Sequence, residues 1–225
     1  TANEYAVDSE TPWIAVELGG IGGTPVESLS ATVTTFQPGY VCYACLRSRV
    51  EANEVFASEE ASAERPAARI AGSYAGLQAI QAFSGAEVAG VIIEIPYQQR
   101  SLLPVPSCEH APDRNRTLEL DEVDRSLSET TQAAEMAVDD RVGIVPWIGE
   151  HDSFPLPYYL TAVTTTDGWS DGSAPNRAAG VAPDWDHAFM KALGEAFERY
   201  SGATYRTESF RQEAVSAIEG PEPSS

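Results

Sequence analysis

Asp-His-Ala-Phe-Met-Lys-Ala-Leu-Gly-Glu-Ala-Phe-Glu-Arg-Tyr-Ser, residues 186–201, repeats its apolar positions at a helical period. At about 100° per residue, Phe189, Ala192, Leu193, Ala196, Phe197 and Tyr200 fall on one apolar stripe, and Lys191, Glu195 and Glu198 project from the opposite side. An amphipathic helix follows. Pro183, Asp184 and Asp186 give it an acidic, turn-like start, and Ser201-Gly202 give it a stop. Two carboxylates three residues apart, flanked by Lys191 and Arg199, suit a divalent cation and the phosphates riding on it, because hard cations take oxygen ligands. The same charges also read as a solvated face, since Lys191–Glu195 and Glu195–Arg199 are i,i+4 pairs worth about 0.2–0.5 kcal/mol each. Spacing alone favours the solvated face.

Just upstream, Ala-Ala-Gly-Val-Ala (178–182) reads as a glycine turn leading into this helix. With Ala-Leu-Gly-Glu-Ala-Phe-Glu-Arg-Tyr-Ser (192–201) it resembles the first nucleotide-binding motif of the YcaO family, a glycine turn followed by a helix reading Ala-Leu-x-Glu-Ala-x-Glu-Arg. In that family the two glutamates help hold magnesium and ATP, a role the resemblance carries to Glu195 and Glu198. Arg199 and Lys191 complete the cofactor-binding candidates, with Arg177 a weaker one. The sequence departs from the motif at Ala182, where a second glycine is common, and at Lys191, where the family often has serine.

A chain of 225 residues is long enough for one or two domains with a real core. Its formal charge of −20 argues against nucleic acid as a partner, because binding phosphate backbones depends on cationic contacts. Of the 14 basic residues only Lys191 is a lysine. This acidic, lysine-poor surface fits a halophilic, salty cytosol, where screening weakens self-repulsion. There is no run of 18 apolar residues and no signal-peptide pattern at the start, so neither membrane insertion nor export is expected, and the location is read as cytoplasmic. The start at Thr1 and the polar stretch 219–225 suggest an internal fragment of a larger protein.

Towards the N-terminus, a short polar segment leads to a strand over Pro12–Leu18, closed by the cluster Gly19–Gly23. That cluster matches neither G-x-x-x-x-G-K-[ST] nor G-x-G-x-x-G, so it reads as a flexible turn. Thr32–Phe36 is a second strand and Pro38-Gly39 a turn. Cys42-Tyr-Ala-Cys45 follows directly, and the remaining cysteine lies in Pro106-Ser-Cys108-Glu-His110. Cys42, Cys45, Cys108 and His110 make a Cys₃His zinc set with one knuckle on each of two loops. A redox dithiol at Cys42 and Cys45 and a set of unrelated buried thiols are the other readings of this spacing. Between the knuckles, Ala71–Gly85 is a small-residue helix with a glycine cap, and Val88–Ile95 an apolar run of strand length.

This order of elements resembles the C-terminal half of the E1-like (ThiF-like) adenylation fold, in the version partnered with YcaO proteins in azole-forming cyclodehydratases. Tyr40-Val-Cys42-Tyr-Ala-Cys45-Leu46-x-x-Arg49 carries the resemblance, and Asn3 and Pro12-Trp13 are in keeping with it. In that family the zinc is structural and its usual fourth ligand is cysteine, so His110 stands as a substitute.

Residues 112–136 are charged and poor in aromatics, with a helical connector over Leu118–Met136 on which Leu120, Val123, Leu127 and Thr131 keep a weak helical spacing. Gly143–Ile148 and Tyr158–Thr164 read as strands, and Asp167–Asn176 as an exposed turn. His151 and His187 have no partner at metal spacing and read as surface or helix-start residues. The expected fold is mixed α/β, of the α+β kind. The E1-like zinc-binding part occupies residues 1–115, the connector 116–136, and the N-terminal part of a YcaO domain 137–225.

The resemblance implies an enzyme that uses ATP and Mg²⁺ to phosphorylate a backbone amide oxygen after a Cys, Ser or Thr side chain has attacked it. Loss of phosphate leaves a thiazoline or oxazoline in a ribosomally made precursor peptide. A fragment of this length is expected to be inactive alone. The precursor peptide is the implied partner, with a homodimer as a further arrangement. A non-catalytic, zinc-stabilised scaffold that docks a peptide for a separate enzyme is the alternative, and thioamide formation is a third reading.

Overall fold

The structure, a computed structural model, describes residues 1–54, 64–106, 108, 110, 124–152, 155–210 and 213. Among these, α1 (Ala2–Asp8) leads to β1 (Trp13–Leu18), a short hairpin of β2 (Gly20–Ile21) and β3 (Thr24–Pro25), and β4 (Ala31–Phe36). Next come α2 (Tyr43–Ala52), α3 (Arg65–Phe83), β5 (Val91–Ile95) and β6 (Gln98–Ser101). The C-terminal part holds α4 (Leu127–Glu135), β7 (Trp147–Glu150), β8 (Tyr158–Ala162), β9 (Arg177–Val181) and α5 (Trp185–Ala203), then a 3-10 turn over Thr207–Ser209. One sheet runs β1-β4-β5-β6 and another β7-β8-β9, with every pairing antiparallel. The fold is mixed α/β with antiparallel sheets.

Strand β4 lies inside the first sheet and is buried at all six positions, because both of its faces are covered. Ala67 and Ala71 of α3 pack on Ala31, Val33, Ile93 and Ile95, where small side chains let the helix sit close. Phe36 and Ile92 face the other way, into the main core. The helix α3 starts earlier than its apolar pattern predicts, with Pro66 in the first turn, and ends before Gly85, whose φ of 81° suits a glycine. The strand expected from Val88 begins only at Val91, after Gly90 at φ 75°.

Several elements go beyond the sequence reading. Thr1 and Glu4 form a reciprocal capping box that turns the polar start into α1. From that helix Asn3 Oδ1 accepts the Tyr43 amide at 2.9 Å and so caps α2. The segment 178–182, expected as a glycine turn, lies in β9 as far as Val181, and Gly180 lies where that strand meets α5. A Cβ there would stand 2.3 Å from Ala188 O and from Ala192 N. Gly180→Ala is therefore expected to push α5 off the sheet at a cost of about 1–3 kcal/mol, read as a lowered thermal midpoint. An unchanged midpoint would contradict this packing.

Two further expectations are corrected. Gly143–Pro146 is not strand, because Ile144 and Val145 both donate to Ala137 O in a tight turn, and β7 starts at Trp147. The loop 167–176 is not wholly exposed, for Trp169, Gly172 and Ala174 are buried. The helix α5 also passes its expected stop and reaches Ala203. Of the predicted connector, residues 116–123 lie outside the described residues and the remainder contains α4.

The N- and C-terminal parts share one core, in which Phe36, Leu46, Val50 and Ile92 cluster with Val142, Val145, Leu193 and Tyr200. A buried ion network ties them again. Arg100 on β6 meets Glu94 at 2.7 Å and Asp139 at 2.6 Å, and Arg141 reaches Glu94 at 3.3 Å. Asp139 is held in place by the amides of Arg141 and Val142, both at 2.9 Å. Arg100→Met leaves Glu94 and Asp139 without their shared cation, so a loss of about 3–5 kcal/mol is expected in a denaturant titration.

Candidate functional site

Helix α2 begins at Cys42, its N-cap, which sets Cys42 and Cys45 one turn apart at the helix start. The chain after β6 brings Cys108 and His110 to the same place. Cys42 Sγ lies 3.8 Å from Cys45 Sγ, 3.6 Å from Cys108 Sγ and 3.6 Å from His110 Nδ1. Cys108 Sγ is 3.9 Å from the same nitrogen. The ligand atoms of Cys42, Cys108 and His110 all fall within 4.8 Å of one another. A tetrahedral ion with Zn–S near ~2.3 Å and Zn–N near ~2.0–2.1 Å has sulfur–sulfur edges of ~3.8 Å and sulfur–nitrogen edges of ~3.6 Å. The separations of Cys42 from Cys45, Cys108 and His110 match those edges, so Cys42, Cys108 and His110 suit a tetrahedral, thiolate-binding ion with Cys45 beside them.

Crowding these thiols splits their acidities. Hydrogen bonds from Cys108 and Cys42 hold Cys45 down to about 2, and the Val105 amide adds a further bond to its sulfur at 3.4 Å. Cys108 is pushed far above the ordinary thiol range by its bonds to Cys42 and Cys45 and by burial. All three cysteines are unbridged. A bare dithiol needs only Cys42 and Cys45, whereas here a third sulfur and an imidazole converge from a loop more than sixty residues away. That convergence favours the metal reading over a redox pair.

The helix face is built differently. Asp184 caps α5 by accepting the His187 amide at 3.0 Å, and its carboxylate also meets His187 Nδ1 at 2.7 Å, so His187 is a helix-start residue as expected. Those bonds, the backbone one first, lower the Asp184 pKa. Arg199 grips Glu195 Oε1 through Nε at 2.8 Å and Nη2 at 2.7 Å, and its Nη1 donates to Arg177 O on β9. Lys191 does not turn to Glu195; its Nζ donates to Val181 O at 3.2 Å. Both cations thus fasten α5 to β9, and Arg199 orients Glu195. Glu198 is exposed one turn along the same face, and among the described residues Glu195 Oε2 has no partner. Two carboxylates open to solvent, one of them already oriented, leave oxygen lone pairs for a hard cation.

No family model and no curated protein matches the chain. A solved structure does, a heterocyclase in complex with substrate and cofactor, at TM-score 0.59 and 17% identity, over 89% of this chain and 33% of that one. The chain shares the fold of that part of the heterocyclase. The structure of the heterocyclase TruD overlaps less, with TM-score 0.44 and 17% identity over 64% of this chain and 26% of that one. The chain spans about a third of the length of the heterocyclase it matches over most of its residues.

Sequence reasoning singled out Cys42, Cys45, Cys108, His110, Glu195 and Glu198 but passed over Arg49, although it quoted the residue. The signal was its spacing: four residues after Cys45, Arg49 shares that helix face.

Proposed function

We propose that this chain is the central segment of a YcaO-type, ATP-dependent cyclodehydratase acting on a ribosomally made precursor peptide. The heterocyclase fold over nine-tenths of the chain carries the proposal, supported by the two motifs quoted from its sequence. Residues 1–115 are assigned to an E1-like zinc-binding part, 116–136 to a connector and 137–225 to the start of a YcaO domain. Cys42, Cys45, Cys108 and His110 would hold zinc in a structural role, since four protein donors leave no open position for a reacting water. Glu195 and Glu198 would hold Mg²⁺, which when bound neutralises the phosphate charge of ATP. Arg199 holds Glu195 in a single orientation, and Lys191 keeps the helix face against β9.

In the reaction proposed, a Cys, Ser or Thr side chain gives up its S–H or O–H proton and adds to the preceding backbone carbonyl carbon. The former carbonyl oxygen takes the γ-phosphoryl group of ATP with release of ADP, and phosphate then leaves with that oxygen as the ring C=N forms and the amide proton departs. The work asked of the site is electrostatic, namely neutralising charge that moves onto the transferred group. Incubating the complete protein with ATP, Mg²⁺ and a Cys-containing precursor peptide should give a mass loss of one water per ring with matching release of phosphate. Peptide binding without mass loss would support the docking scaffold instead.

A further inference from the structure

Arg49 is 1% exposed and pairs with no carboxylate among the described residues of a chain whose net charge is −20. A buried cation without a counter-charge is costly, so its surroundings must supply one. Its Nε and Nη2 donate to Leu103 O at 3.4 Å and Pro104 O at 3.1 Å. The next residue, Val105, donates to Cys45 Sγ at 3.4 Å and accepts from the Cys108 amide at 3.3 Å. On its other side the guanidinium stands 5.4 Å from the Trp169 ring and 5.3 Å from the Tyr200 ring, both rings buried. Tyr200 belongs to α5. Among the described residues Arg49 Nη1, Trp169 Nε1 and Tyr200 Oη are buried without a hydrogen bond of ordinary geometry, and the two ring faces lie beside the cation. Three thiolates, a neutral imidazole and a divalent ion leave one net negative charge, four residues along the same helix from the guanidinium.

We propose that Arg49 is a positioning residue that couples metal occupancy of the cysteine centre to the order of α5. The charge of the loaded centre holds the guanidinium against the Leu103–Pro104 carbonyls, and in that place it presents a cation to Trp169 and Tyr200. Losing the metal releases Cys108 and, through Val105, the Leu103–Pro104 carbonyls that seat the guanidinium, and the aromatic clamp on α5 slackens. The helix that bears Glu195 and Glu198 is thereby made to depend on a centre that takes no part in chemistry. The inference rests on the metal reading of the cysteine centre.

Hydrogen exchange of the chain, zinc-loaded and after stripping with a chelator, tests it. In the wild type, stripping should speed exchange in the last turns of α5, residues 197–203, by about 5- to 150-fold, the usual range for coupled sites, while α3 stays protected. Arg49→Met should weaken zinc binding about 10- to 100-fold, as removing a supporting residue of a metal site does, and should make α5 exchange the same with and without metal. Arg49→Lys, which keeps the charge, should restore part of the metal dependence. A role in packing alone would instead leave the metal-dependent difference intact in Arg49→Met, and that result overturns the coupling. So does an α5 indifferent to stripping in a zinc-loaded wild type, or an equal acceleration in α3. A purified chain that takes up no metal overturns the centre itself and the coupling with it.

Discussion

Replacing Glu195 by Gln in the complete enzyme is expected to lower ATP-dependent ring formation by about 10²- to 10³-fold, the usual cost of losing one well-placed electrostatic contact. The variant should stay folded. Gln matches Glu in size and helix propensity, and the pair it breaks, Glu195–Arg199, is more than a third exposed on both sides, so its loss costs only about 0.2–1 kcal/mol. Arg199 keeps its hold on Arg177 O, so the helix remains fastened to β9. What disappears is the charge that a cation bridging phosphates requires. Glu198→Gln should behave alike, whereas Lys191→Met removes only an anchor to Val181 O and should leave turnover within a few-fold. A folded Glu195→Gln enzyme that forms rings at the wild-type rate would reduce this face to a solvated i,i+4 pair.

The second large effect is expected at Cys42. Its sulfur has close contacts with Cys45, Cys108 and His110, so Cys42→Ser removes the donor that all the others face. Metal analysis should fall from about one zinc per chain to a small fraction. Apparent binding free energies of structural zinc in small folded peptides are about 10–16 kcal/mol, so much of the stability of α2 and of the chain around Cys108 should go with it. His110→Ala, which leaves three thiolates, should weaken binding less. A wild-type chain purified without metal, or a Cys42→Ser chain that keeps it, would refute the centre.

What the sequence disclosed, and what it hid, follows from how far apart the partners lie. The stripe on α5 and the glycine-bounded apolar run of β1 are local patterns, and both elements form where those patterns lie, α5 running on to Ala203. The Cys/His set was legible because cysteine and histidine, three of each in the whole chain, stand out from a Glu-rich background at any spacing. Strand β6 was not legible, since Gln98-Gln-Arg-Ser looks like a surface turn until Asp139, thirty-nine residues on, is seen to meet Arg100. Segment 177–181 failed for a related reason. Its glycine suggests a turn, but the need it meets is the approach of Ala188 and Ala192 from the following helix. Lys191 was paired with the carboxylate four residues on, while the structure turns it back to Val181.

The ion network and the common core also bear on how such chains can be recombined. A chimera that takes residues 1–105 from one parent and 124–210 from another would inherit Arg100 and Glu94 from the first and Asp139 and Arg141 from the second. It would likewise separate Asn53 from the Gly143 carbonyl it donates to, and Leu46 from Leu193. The seam is thus a lock with matched wards on both sides, and the two parts are interchangeable only between parents that agree at these positions, however well each part would tolerate substitution elsewhere on its surface.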